Sequence, residues 1–111
     1  MAARFSSRLV LEERSREPDG AGGALETWVE KGALWAELKA GSGRERVIGM
    51  KPTSTVTHRA RIRYAAPGAA DRPRADQRLT DGARVFAILA VAEADDRRRE
   101  LALWLEERAL S

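Results

Sequence analysis

A small, mainly β domain is the fold class this sequence predicts, and three stretches predict it. Residues 56–64 alternate: Val56, His58, Ala60, Ile62 and Tyr64 share one face, and Thr57, Arg59, Arg61 and Arg63 share the other. Residues 84–91 are apolar on both faces, the pattern of a central strand covered on both sides. Residues 7–13 place Leu9 and Leu11 on one side and Val10 on the other. At 111 residues the chain can bury one core and not two, so residues 1–111 are expected to form a single domain.

Taken in order, the strand at 7–13 gives way to a charged loop over 14–23, where Pro18 and three glycines interrupt regular structure. Residues 24–30 carry Leu25, Trp28 and Val29, and Gly32 argues against one helix from Leu25 to Leu38. Residues 33–39 read as the second strand, with Trp35 expected in core or wall packing rather than as a ligand platform. Residues 40–55 show no periodicity and are expected to form a long loop, which in a compact domain is mobile or functional. Its Gly41 and Gly43 make no phosphate-binding fingerprint, lacking a third glycine, a Gly-Lys-Ser/Thr run and a following helix. In the strand at 56–64, Arg59, Arg61 and Arg63 form one cationic stripe. It is either an ordinary solvated face or a face for something anionic, such as DNA or an acidic neighbouring subunit. Residues 65–79 read as loop around Pro67, Gly68 and Pro73, Asp81-Gly82 as a turn, and 93–97 as a polar turn. Residues 98–107 support two readings. Their Leu, Ala, Glu and Arg content favours helix, whereas alternating Leu101, Leu103 and Leu105 after a central strand favour a β-hairpin.

Composition removes several kinds of chemistry. The chain has no cysteine and one histidine, so it offers neither disulfides nor a His/Cys metal cluster. His58 falls on the apolar side of its strand, where a satisfied, half-buried imidazole is expected. Asp95-Asp96 and Glu106-Glu107 are sequence neighbours, which a strand would point to opposite faces. No serine-nucleophile motif occurs, so no enzyme, metal or cofactor is expected. No apolar run approaches the roughly 20 residues that span a bilayer, and residues 1–15 lack the apolar middle of a secretory signal. A cytoplasmic protein without a membrane partner is expected. Charge is unevenly spread: residues 44–84 hold ten Arg/Lys against four Asp/Glu, a net of +6 that leaves −3 for the rest of a chain of net +3. Such a layout gives a molecule two electrostatic faces. Arginine outnumbers lysine 17 to 3, a bias that a GC-rich genome also produces.

Several short motifs recur in a fixed order. Asp19-Gly20-Ala21-Gly22-Gly23 precedes Trp28; Leu34-Trp35-Ala36 precedes Gly41-Ser42-Gly43 and Glu45. Then come Thr57-His58-Arg59, Ile62-Arg63-Tyr64, Gly82 with Arg84, Phe86 and Ile88, and finally Asp95, Arg97, Arg99, Leu101 and Leu103. In this order and spacing the chain resembles, over nearly its whole length, the head–tail connector family of tailed bacteriophages. These are head-completion, adaptor or stopper proteins, also found in gene transfer agents. The resemblance implies a small antiparallel β-barrel or sandwich of about five to six strands with long loops, assembled as a ring, and it turns 98–107 towards strand. The Ala/Gly/Pro-rich segment 65–73 departs from some members, where a simple turn serves.

The implied function is that of a ring subunit that closes the DNA-filled head and docks the tail. Its implied partners are further copies of itself, a portal or adaptor ring on the head side, a tail-terminator or tail-tube protein on the tail side, and non-specific double-stranded DNA in the channel. The protein would assemble in the cytoplasm and end at the head–tail junction of the particle. The resemblance points loop 40–55 at that channel, with Gly41 and Gly43 as pivots and Arg44, Arg46 and Lys51 as cations for phosphate. The bland alternative is a loop that orders against the neighbouring ring. Arg59, Arg61 and Arg63 are candidates for the subunit interface, opposite acidic ends at Glu12, Glu13, Glu106 and Glu107. Two other functions stay open: a tail-terminator-type ring protein, and a monomeric β-barrel that binds nucleic acid. The second lacks interleaved aromatics for base stacking, since only Tyr64 adjoins the stripe, on the other face, and the tryptophans sit in apolar patterns.

Overall fold

Alternation of apolar and polar residues runs along most of the chain. In the computed structural model, which describes residues 4–43 and 55–109, it resolves into six strands. These are β1 (Ser7–Pro18), β2 (Ala24–Gly43), β3 (Val56–Arg63), β4 (Arg78–Thr80), β5 (Val85–Glu93) and β6 (Glu100–Arg108). Every pairing is antiparallel, in the order β1-β2-β3-β6-β5-β4, and β4 pairs back to β1 to close a barrel. The expected antiparallel β architecture is therefore present, in its barrel form.

Period-two alternation decides what fills the interior. Leu9 and Leu11 of β1, Ala60 and Ile62 of β3, Phe86 and Ile88 of β5, and Leu101, Leu103 and Leu105 of β6 are all buried in one cluster. The segment 98–107, open between helix and strand, is strand from Glu100 onward, in β6, as the resemblance implied. The cross-strand pairs Ile62–Leu101, Ala60–Leu103 and His58–Leu105 explain why: each inward leucine meets an inward residue of β3. A helix would keep Leu101 and Leu105 on one face but turn Leu103 away from that wall.

Three sequence expectations are corrected. The strand at 84–91 is covered unevenly: Phe86 and Ile88 fill the core and Val85 and Ala90, outside that cluster, are also buried, whereas Ala87 and Leu89 are only half-buried. A closed single sheet has one interior and no second layer to cover its outside. Trp35 is not packed inside but lies on the outer face at 56 % exposure, and Trp28 and Trp104 are only half-buried. The lumen of six strands is filled by leucine, isoleucine, alanine and one phenylalanine, which leaves no room for an indole. The loop expected over 14–23 is half strand, and only 19–23 form the turn. β1 continues to Pro18, and β2 runs unbroken from Ala24 through the segment read as a separate strand to Gly43.

Gly32 does not end β2. It stands at a register shift opposite Leu11, with φ of 133°, a backbone conformation that side chains other than glycine rarely adopt. Beyond it the hairpin leaves the barrel, because β1 pairs with β4 only as far as Glu12 and β2 pairs with β3 only from Ala36 onward. The result is a two-stranded arm, residues 12–31, that helps give the molecule extents of 53 × 28 × 28 Å. Asp19 closes the arm: its Oδ1 accepts the amides of Ala21 and Gly23 at 2.8 and 3.0 Å. Asp81 does the same before β5, accepting Arg84 N–H at 2.7 Å and Ala83 N–H at 2.9 Å. Asp95 accepts Arg99 N–H at 3.1 Å before β6. These amide bonds hold the Asp81 and Asp95 carboxyls below the usual carboxylate range.

Candidate interaction surface

With the lumen packed, what the molecule presents to others is the outside of its barrel and the arm. β3 turns Arg59, Arg61 and Arg63 outward and leaves all three exposed, because Val56, His58, Ala60 and Ile62 must point in. The cationic stripe read from the sequence is thus assembled on one face. Its flanks come from the two strands beside it. Lys39, Arg59 and Trp104 form one cross-strand row, and Glu37, Arg61 and Ala102 form the next. Together with Arg4 they line a shallow groove of about 310 Å³.

The stripe is moderated within the chain. Arg4 reaches over the face from ahead of β1, its Nε 3.0 Å from Glu37 Oε2, and its guanidinium also pairs with Glu100, at 2.9 Å from Nη2 to Oε1. Arg61 Nη1 lies 3.7 Å from Glu100 Oε1. The hydrogen bond from Arg4 is the main cause holding the Glu37 carboxyl below the usual range, and the bonds to Glu100 and Glu37 push Arg4 up. Arg63 lies over the Phe5 ring at 5.2 Å from its centroid. Five cations (Arg4, Lys39, Arg59, Arg61, Arg63) stand here against two carboxylates (Glu37, Glu100), so the face stays positive. Sequence reading missed Arg4, Glu37, Lys39 and Glu100. The signal for Glu37 and Lys39 lay in the period of β2, which puts them beside Leu38 on the outer face. Glu100 required knowing that β6 is a strand, and nothing local points to Arg4.

Other expected residues fall elsewhere. Gly41 is exposed near the end of β2, and Gly43 pairs with Val56. Arg44, Arg46 and Lys51, with most of segment 40–55, lie outside the described residues. The acidic residues expected to answer the stripe are largely engaged within their own chain. Glu12 bonds Arg78 at 2.6 Å with both side chains less than one-fifth exposed. Glu13 pairs with Lys31 and Arg74. Glu106 accepts the Thr55 amide at 3.0 Å and pairs with Arg108. Trp104 belongs to the same outer row as Arg59, so an aromatic does adjoin the stripe, contrary to the expectation that Tyr64 alone would.

His58 is buried, at 9 % exposure, with its ring edge-on to Phe86 at 4.9 Å between centroids. Its Nδ1 lies 3.0 Å from Thr57 Oγ, and that hydroxyl already accepts the Glu107 amide at 2.6 Å. The hydroxyl proton is therefore available to Nδ1, and Nε2 lies 4.0 Å from Glu107 Oε1. Among the described residues no group of three His, Asp or Glu side chains is placed to hold a metal, and no helix is long and apolar enough to cross a membrane.

Comparison with known proteins gives a consistent result. Residues 1–108 match the family described as phage head completion protein. Among solved structures, a chain from the virion of a native gene transfer agent particle is 39 % identical, with a TM-score of 0.72, covering 96 % of this chain and 98 % of that one. A protein of Shigella flexneri 2a, solved in solution, is 26 % identical with a TM-score of 0.66, covering 97 % of this chain and 96 % of that one. No curated protein matches.

Proposed function

The chain belongs to the phage head completion protein family, and from that premise we propose that it is a structural subunit of the head–tail connector of a phage-like particle. In this reading it forms a ring that closes the DNA-filled head and presents a surface to the tail. The observation that carries it is the 39 % identity, end to end, with a chain of a gene transfer agent virion.

The closed barrel supports a subunit that associates through faces rather than strand edges, because every barrel strand already has two neighbours. The outward face of β3, with Arg59, Arg61 and Arg63, is then one side of the contact between copies, a head-to-tail arrangement that rotation can close. The ring would meet a portal or adaptor ring on the head side and a tail-terminator or tail-tube protein on the tail side. Segment 40–55 is assigned to the channel, where Arg44, Arg46 and Lys51 supply cations for DNA phosphates and Gly41 and Gly43 supply pivots; its composition alone supports this part.

Electron microscopy of particles produced with the gene deleted tests the reading. DNA-filled or leaking heads without attached tails are expected. Normal tailed particles would overturn it.

A further inference from the structure

The arm carries a face that the barrel does not use. Leu9 and Leu11 of β1 point into the lumen, and the same parity puts Glu13, Ser15 and Glu17 on the continuation of that face. Their partners across the hairpin are Val29, Thr27 and Leu25. The inward face of the sheet therefore runs on past the end of the core. Beyond Glu13, which Arg74 and Lys31 cover, nothing among the described residues packs over it: Leu25 is 59 % exposed and Val29 48 %. An isolated two-stranded ribbon is marginal in water, and large apolar side chains on its exposed face mark an interaction site.

Charge identifies the partner. Residues 12–31 hold six carboxylates against three cations; Glu12, Glu13 and Glu26 are paired within the chain, and on the Leu25–Val29 face Glu17 is the carboxylate that forms no ion pair among the described residues. The groove on the outer face of β2, β3 and β6 has the opposite character: Lys39 and Arg61 stand around Ala102 and the half-buried Trp104. The two surfaces cannot meet within one molecule. Leu25 and Lys39 lie on the same strand, fourteen residues apart, which is roughly 45 Å of extended chain in a molecule 53 Å long.

We propose that the arm of one copy seats its Leu25–Val29 face in the Lys39–Arg61–Trp104 groove of the next copy. This inference rests on the ring reading and deepens it: the contact is heterologous, acidic and apolar on one side, basic and aromatic on the other, so repetition propagates around a ring. It also gives the uncovered part of the sheet the cover it lacks.

The absence of cysteine makes the test direct. Full-length chains carrying Leu25→Cys with Ala102→Cys, or Val29→Cys with Lys39→Cys, are assembled into particles. The particles are treated with a short bismaleimide and run on a denaturing gel. A ladder of multimers of this chain is expected from each double variant and from neither set of single variants. In the same particles, a ring seen by electron microscopy without any ladder would overturn the arm-in-groove contact and leave the ring standing. One copy per particle would overturn both. Arm-to-arm dimers, or a cross-link from the arm to a different virion protein, would also overturn it. As a second measurement, Leu25→Asp/Val29→Asp is expected to unfold at the wild-type midpoint yet be lost from particles; its normal incorporation would overturn the contact.

Discussion

Phe86 is the one large ring in a lumen otherwise filled by leucine, isoleucine and alanine, and the edge of His58 rests against it. Because it is fully buried, truncation leaves a cavity that the surrounding side chains relax into only partly. Phe86→Ala should cost about 3–5 kcal/mol, read as a lower urea midpoint with an unchanged slope; a wild-type midpoint would show that the site collapses without loss. At this scale much was legible. The alternation in β3 placed His58 inside and the three arginines outside, and both assignments hold. The tryptophans were misjudged for a physical reason. Indole volume argues for burial in general, but parity sets Trp35 opposite Leu34 and Ala36, and a narrow barrel takes the smaller side chains. The Arg4–Glu37–Glu100 cluster joins residues far apart in sequence, and no local pattern announces such a meeting.

Among the elements, β2 departs furthest from expectation. Gly32 reads as a breaker, yet here its φ of 133° lets one strand shift register and carry on as the arm. Gly32→Ala should therefore destabilise by about 1–3 kcal/mol, the cost of forcing a side chain into that backbone region. Thermal unfolding measures it; a stability equal to wild type would mean that the hairpin re-registers around the alanine. Pro18 and the glycines at 20, 22 and 23 were legible as a turn, but not how short the turn is, since Asp19 closes it through two amides and frees the flanking residues for pairing. β4 has three residues and only Leu79 buried, too short for periodicity to reveal; it exists because β1 and β5 leave a gap between them.

For the whole molecule, the consequence of closure is that association is separable from folding. Arg61 is exposed on the outer wall and its nearest carboxylate is Glu100 at 3.7 Å, so reversing its charge touches no core contact. Arg61→Glu should change stability by no more than about 1 kcal/mol while impairing assembly into particles. Normal assembly of that variant would remove the β3 stripe from the contact between copies. The 20 residues of β2 run through this architecture without interruption, from the arm, along the barrel wall, to the pairing of Gly43 with Val56. Its hydrogen bonds to β1 and β3 lie across the strand axis. A pull on the arm along that axis would load those bonds together, in shear, instead of peeling them one at a time. In the proposed ring, the longest strand is thus also the tensile member, suited to pass mechanical load from a neighbouring copy into the wall of its own barrel.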